Sequence, residues 1–584
     1  MLYFSRDRLT IMASLGKGTI MFSTKLSEAE ELYNKGDLAG AEAVCSMILS
    51  GDSTHLQALN VSGLIHAARK NYDKAFEVFR AACVLHPNNA ALHANLGHLY
   101  LLRQKPIEGS QFLMRAVLLT PETANYKAMF GQSVRMTVRT AFNPAFKKAL
   151  LICLEDDHAS HHDFALSWIS LLGLDPSFEA FNNARKYCHD YEAFKDSVSI
   201  DDLKLCLNDR FFQLGLIRLN IYAWDIECVL TWTRRLMLER ELYKDETLLP
   251  FLCALGIHCF QNEYVFLVDE TEEQKADALA KAADSPGALA MVSCYRPLLD
   301  FADAVAPVAA GCGNDLFRSL VRVQIDEPLE ERRIIKTIPE LKAPVDEVSC
   351  AVQKMYEENP FPRWMHISAF DLPENVREMA RGRTILIAGC GTGHEAANVA
   401  RYFPLARITA IDLSRASLAY AIRKCREEGI KNVDFMHADI LDLDEMKQTF
   451  DFVLSSGVLH HMKDPVAGMR KVMARAKPGG VLKFGLYSKT ARRNLKLCQD
   501  WIREQGMPAT PQGIRRFRKE LAALGAHDPR RQAMAMRDFY TMSQCRDLVF
   551  HVQEHTFTLP QLKQIFADIG LSVFRVALEN AAII

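Results

Sequence analysis

Three series of residues recur at one interval near the start of the chain. Gly63, Gly97 and Gly131 form one, Ala41, Ala75 and Gly109 a second, and Pro87 with Pro121 a third, each member 34 positions from the next. A period of that length, with small residues at two fixed places and proline at another, predicts helix pairs stacked in a row. The small residues let paired helices approach closely, and the proline, lacking a backbone N–H, ends the second helix. About three and a half such units fit between residues 26 and 140. The first is weak, because Ala29 and Ser53 stand where the glycine and proline would fall. Residues 1–25 read as a loose tail. From 141 to 340 the apolar spacing stays helical, as in FKKALLICLEDD and CVLTWTRRLMLERELY, but the register is lost. That middle region is expected to be all-α and carries no catalytic spacing.

The segments NVSGLIHAARKNYDKAFEVFRAACVLHP and NLGHLYLLRQKPIEGSQFLMRAVLLTP resemble tetratricopeptide repeats, with Leu96, Gly97, Tyr100, Ala116 and Pro121 on the pattern. The resemblance implies a surface that holds a protein or peptide, or else a structural spacer.

Composition narrows the remaining classes. The 584 residues are 49% hydrophobic and 24% charged with a net charge of -1, ordinary for a folded globular protein of several domains. A balance of 70 basic against 71 acidic residues gives no overall case for a nucleic-acid or membrane partner. Fifteen cysteines without a CxxC pair suggest reduced thiols and a cytoplasmic location. The longest apolar stretch, 211–230, is broken by Arg218, Asp225 and Glu227, so it reads as a buried helix and not as a membrane span.

After Arg383 the pattern becomes short β-rich runs separated by amphipathic helices, which predicts a doubly wound α/β domain over 345–584. TILIA (384–388) runs into Gly389-Cys390-Gly391-Thr392-Gly393 and then a helix. A tight strand-to-helix turn uses positive φ, and a ligand lying against it leaves no room for a Cβ. RITAI (407–411) ends at Asp412, nineteen residues beyond Gly393, where a carboxylate can accept both hydroxyls of a ribose. The third glycine follows the second by two residues and not three, a departure from the dinucleotide spacing that disfavours a pyrophosphate. Strands are also expected at 432–436, 451–455 and 481–487, with Asp439 and Ile440 placed after the third to meet an adenine.

The succession GCGTG, Asp412, Asp439 and SSGVLHH resembles the class I S-adenosylmethionine-dependent methyltransferases. The resemblance implies S-adenosylmethionine as cofactor. Gly389, Gly391 and Gly393 would cradle its methionine part, flanked by Ala388, Cys390 and Ser456; Asp412 with Leu413 would hold the ribose, and Asp439 with Ile440 the adenine. One departure is Ile387, where many members carry an acid. MYEENPFPRW (355–364) resembles a segment preceding the core in a bacterial group of repeat-bearing methyltransferases, which implies that Tyr356, Asn359 and Arg363 line a lid. QCRDLVFHVQEHTFTLPQL resembles another stretch of that group and points to His551, Glu554 and His555, with Tyr487, as substrate-pocket residues.

Methyl transfer requires positioning and, for some acceptors, removal of a proton. His460 and His461, after the fourth strand, are the candidate bases. The insertion at 489–556 has thirteen lysines and arginines against five acids over 489–546, and reads mainly as the wet face of helices such as GIRRFRKELAAL. Its end, HVQEH (551–555), matches the HxxEH zinc pattern of some peptidases, so a zinc hydrolase is a distant alternative. No metal is expected in the favoured reading. The remaining alternative is a non-catalytic scaffold in which the repeats do the work. LSVFRVAL (571–578) is expected as a sixth strand, with only ENAAII left for a seventh.

Overall fold

The computed structural model describes residues 17–135, 137–367 and 377–576. The described residues up to 174 form one compact unit and those from 175 onward another.

In the first unit the 34-residue register appears as antiparallel helix pairs: α1 (Lys17–Lys35) with α2 (Leu38–Gly51), α3 (Leu56–Ala68) with α4 (Tyr72–Leu85), and α5 (Ala90–Leu102) with α6 (Pro106–Leu119). Helices α7 (Ala124–Val134), α8 (Pro144–Glu155) and α9 (Ala165–Leu174) continue the unit past the expected end of the repeats at 140. Helix α1 begins at Lys17, so the last part of the expected loose tail is ordered helix; residues 1–16 lie outside the described residues. The small residues do what their spacing predicts. A Cβ on Gly97 would stand 2.6 Å from Leu113 Cγ, one on Gly109 2.9 Å from the Gly97 carbonyl, and one on Gly63 2.5 Å from the Phe79 ring. The turns inside successive pairs carry a further series with the same period: Gly36, Lys70 and Gln104 all have positive φ (85°, 61° and 57°). Only the first of the three takes that conformation without steric cost.

The second unit holds a helical layer over residues 175–335 and a five-stranded sheet: β1 (Thr384–Ala388), β2 (Arg407–Asp412), β3 (Val433–His437), β4 (Phe450–Ser456) and β5 (Ala476–Gly485). All pairings are parallel and the order is β3-β2-β1-β4-β5. Central strand β1 is buried on both faces, as a parallel strand between helix layers must be. Ile385 and Ile387 pack with Ala396, Ala400 and Leu418 on one side, while Leu386 and Ala388 pack with Leu443, Met469 and Val472 on the other.

The helical layer and the sheet domain are joined by charge. Arg518, fully buried, makes a two-pronged ion pair with Glu227 (3.0 and 2.6 Å) and donates to the Phe539 and Val265 carbonyls. Arg515 donates to the Tyr264 carbonyl, and Arg423 meets Glu327 and Glu331 at 3.1 and 2.9 Å. This corrects the expectation for GIRRFRKELAAL: Arg516 faces water, but Arg515 and Arg518 point inward to acceptors on another layer. The helix Pro511–Ala522 therefore has an interface face as well as a wet one, where Arg516 and Lys519 are exposed.

Among the described residues the expected sixth strand does not form. Residues 571–576 lack strand structure, Phe574 is 80% exposed, and 577–584 lie outside the described residues. After β5 an isolated parallel bridge joins Ser488 to Phe557, outside the named strands. Among the described residues no helix is long and apolar enough to cross a membrane.

Candidate active site

The turn after β1 is built as the glycines predict, though for a partly different reason. Gly389, Gly391 and Gly393 have φ of 80°, 53° and 80°, and Gly393 caps the helix His394–Tyr402. Added Cβ atoms would meet Val458 Cγ2 at 2.4 Å, the Phe361 carbonyl oxygen at 2.6 Å and Ala421 Cβ at 2.6 Å respectively. The glycines thus admit neighbouring protein groups as well as bending the chain. The Gly389 and Cys390 amides both donate to the Ile411 carbonyl (2.9 Å each), which locks the turn to β2.

Asp412 completes this turn. Its Oδ2 accepts the Gly391 N–H at 2.7 Å and its Oδ1 the Ser414 N–H at 2.9 Å. Each oxygen keeps one lone pair for a further donor. Burial raises the Asp412 carboxyl above its usual range, partly offset by those two amides. Asp439 is 2% exposed and accepts the Leu441 N–H at 2.9 Å and the Ser349 hydroxyl. Ser349 lies on the helix Glu347–Glu358, whose Gln353 also donates to the Leu413 carbonyl at 3.0 Å. Ile440 and Ala388 are buried in the core beneath. The Cys390 thiol is buried and pushed up by desolvation. Ser456 donates to Glu395 at 3.4 Å.

The segment 356–364 crosses the glycine turn as a strap. The Thr392 N–H donates to the Phe361 carbonyl (3.2 Å) and the Trp364 indole N–H to the Thr392 carbonyl (2.7 Å). At the near end of the strap, Glu357 accepts the Arg415 and Ala416 amides (2.6 and 3.2 Å) and so caps the next helix, where a carboxylate is favoured by the helix dipole. Tyr356 stacks near Phe361, and its hydroxyl donates to Asp547 Oδ1 at 2.6 Å.

That hydroxyl leads into a second, polar cluster. His461 and His551 stack with ring centroids 3.6 Å apart, and the Nε2 atoms of both lie 4.0 Å from Asp547 Oδ1. Burial drives the His551 imidazole well below its usual range. The His460 ring lies 3.8 Å from that of Tyr487, and burial pushes it down to about 2, which leaves it a neutral packing group. Arg492 stands over Tyr487 and pairs with Glu554. Desolvation, helped by the Asp547 charge, pushes Asp538 up to about 6.

Of the residues singled out from sequence, Tyr356, Tyr487, His460, His461 and His551 converge in this cluster. Others are placed elsewhere. Arg363 pairs with Glu263 at 3.3 Å and lies over the Phe260 ring, Asn359 meets Arg546 at 3.4 Å, and the His555 ring meets Gln553 at 2.9 Å. Residues 551–555 are not helical, so the HxxEH spacing does not bring its two histidines to one face, and Glu554 is neutralised by Arg492. The distant zinc-hydrolase reading loses its geometry. Asp538 and Asp547 escaped the sequence reading: Asp538 sits in no motif, and Asp547 lies in the quoted stretch QCRDLVFHVQEH but was not singled out, because only the fold brings it against Tyr356 and the two histidines.

Comparison with known proteins agrees with this geometry. Residues 385–480 match the family described as Methyltransferase domain, and residues 63–103 match the family described as TPR repeat. An uncharacterised protein of Synechococcus sp. is 33% identical over 173 residues, 27% of this chain and 41% of its own. A ubiquinone biosynthesis O-methyltransferase of Methylocella silvestris is 36% identical over 115 residues, 20% of this chain and 42% of its own. Less than half the length of either relative is spanned. Among solved structures, PKMT2 from Rickettsia typhi with AdoHcy is similar at 18% identity and a TM-score of 0.27, covering 32% of this chain and 38% of that one. Strand order, the glycine turn, the acid after β2 and the two family matches together show a class I S-adenosylmethionine-dependent methyltransferase fold carried behind tetratricopeptide-type repeats.

Proposed function

We propose that the chain transfers a methyl group from S-adenosylmethionine to an acceptor that is a protein or peptide held by the repeats. The observation that carries the reading is Asp412: a half-buried carboxylate at the carboxyl end of β2, fixed by two turn amides, with one lone pair free on each oxygen. Two hydroxyls on adjacent carbons suit that pair of acceptors. A phosphate would not, because Asp412 and Asp439 present like charge to it. The bound cofactor would supply an electrophilic methyl group on a sulfonium. The chain's own part is to hold the ribose through Asp412, to seat the methionine part at Gly389 to Gly393, and to meet the adenine beside Asp439. The helix Glu347–Glu358 and the strap cover that edge and keep water away. A protein or peptide acceptor is supported by the repeat array, whose helix pairs form a unit of their own.

Calorimetry with S-adenosylmethionine on wild type and Asp412→Ala tests the reading. Losing hydrogen bonds to a charged acceptor is worth roughly 1.5–3 kcal/mol, so affinity should fall by about tenfold to a hundredfold. Equal affinities in two variants that melt alike would refute it.

A further inference from the structure

The cluster beyond Tyr356 contains an unmet hydrogen-bonding need. His461 donates from Nδ1 to the Gln553 carbonyl at 2.9 Å, which leaves Nε2 as a bare lone pair. That nitrogen has no hydrogen-bond partner among the described residues, and its side chain is only 5% exposed. It faces Asp547 Oδ1 across 4.0 Å. One nitrogen placed about 2.8–3.0 Å from both atoms would donate to each within ordinary hydrogen-bond limits.

We propose that this cluster is the acceptor site for a primary amine, bound as an ammonium by Asp547 and deprotonated by His461 Nε2. The inference rests on the methyl-transfer reading above and names the acceptor atom within it. A carboxylate and an acceptor nitrogen 4.0 Å apart favour a cation that carries several donors. They disfavour a hydroxyl acceptor, whose developing oxyanion would meet like charge in a poorly hydrated pocket. The pocket adjoins the glycine turn. Tyr356 touches Asp547 with its hydroxyl, and Phe361, against which its ring stacks, places its carbonyl over Gly391.

A metal ion on His461, Asp547 and His551 fits the same atoms less well, although their ligand atoms lie within 4.8 Å of one another. The Gln553 N–H donates to His551 Nδ1 at 3.2 Å, so the remaining ring hydrogen of neutral His551 sits on Nε2, the atom that would have to bind the ion. In the transfer itself His461 Nε2 takes one proton from the ammonium. The freed nitrogen lone pair then forms the bond to the methyl carbon as the carbon–sulfur bond breaks and sulfur keeps that pair. The product leaves as a secondary ammonium, and His461 returns its proton to water.

The test uses the full chain, methyl-labelled S-adenosylmethionine and three probes: a lysine-containing decapeptide, cadaverine, and a host lysate whose labelled products are hydrolysed and separated by linkage. N-methyl product is expected, with KM for the amine raised at least tenfold in Asp547→Asn and kcat lowered at least tenfold in His461→Gln. Cofactor affinity by calorimetry should stay within twofold in both. Label on the decapeptide and not on cadaverine assigns a polypeptide lysine, and the reverse assigns a small amine. Label recovered on oxygen, carbon or sulfur overturns the amine pocket and leaves methyl transfer standing. Retained cofactor binding without transfer to any amine also overturns it, whereas loss of cofactor binding in wild type overturns the reading beneath. Stoichiometric zinc binding by chelator-washed wild type that disappears in His551→Gln would replace the amine with a metal.

Discussion

Asp538 should cost the folded protein stability for the sake of the charge it presents. Its carboxyl titrates near 6 in the folded chain against an ordinary 3.8, because burial and Asp547 oppose its charge more than Arg492 and Arg537 support it. The folded state therefore holds the proton more tightly than the unfolded state does. Stability contributed by this group is full below about pH 4, falls as pH rises between about 4 and 6, and stays lost above that. The gap of about two pH units corresponds to about 3 kcal/mol, or about 2 kcal/mol once partial exposure is allowed for. Asp538→Asn removes the titration. It should be more stable than wild type by about that amount in urea at pH 8 and should lose the advantage near pH 4. A variant less stable than wild type at pH 8, or a difference constant from pH 4 to 8, would refute the account of this carboxyl as a buried, poorly compensated charge.

Other outcomes follow from packing and pairing. Gly97→Ala forces a methyl to 2.6 Å from Leu113 Cγ and should destabilise the repeat unit by about 1–3 kcal/mol in a urea melt, while Gly36→Ala, with open space around it, should cost only the strain of its positive φ, about 1 kcal/mol. Arg518→Leu leaves Glu227 buried without its partner and should cost about 3–5 kcal/mol in the second unit. The double variant Arg518→Leu with Glu227→Leu should recover much of that loss, and a double variant no better than the single would count against the pair.

Most of the backbone plan was readable because it is local. A 34-residue period survives in single residues, and a strand running into GCGTG with an acid after the next strand needs no knowledge of distant contacts. What could not be read was pairing across long separations. Nothing near Arg518 announces Glu227, 291 positions away, so GIRRFRKELAAL looked like a surface helix although its inward arginines are satisfied. HVQEH carries the spacing of a helical metal motif, but residues 551–555 are not helical and no longer align the two histidines. LSVFRV has the composition of a strand, yet the described part of it finds no partner beyond β5. In the site itself, Asp412 and His461 were visible at strand ends. Asp538 and Asp547 were not, because acids in a long insertion are usually solvated and only the tertiary fold buries these two.

The inward arginines bear on how this molecule can be divided. A fragment begun at residue 345 would retain Arg515, Arg518 and Ser543 but leave behind the Tyr264 carbonyl, Glu227 and Glu263 that receive them. Three apolar-lined donors would then open to solvent on one flank of the excised piece, an invitation to precipitation during expression. The helical layer is in effect part of the sheet domain's own packing, and any recombination that moves the sheet domain to another chain should take that layer along.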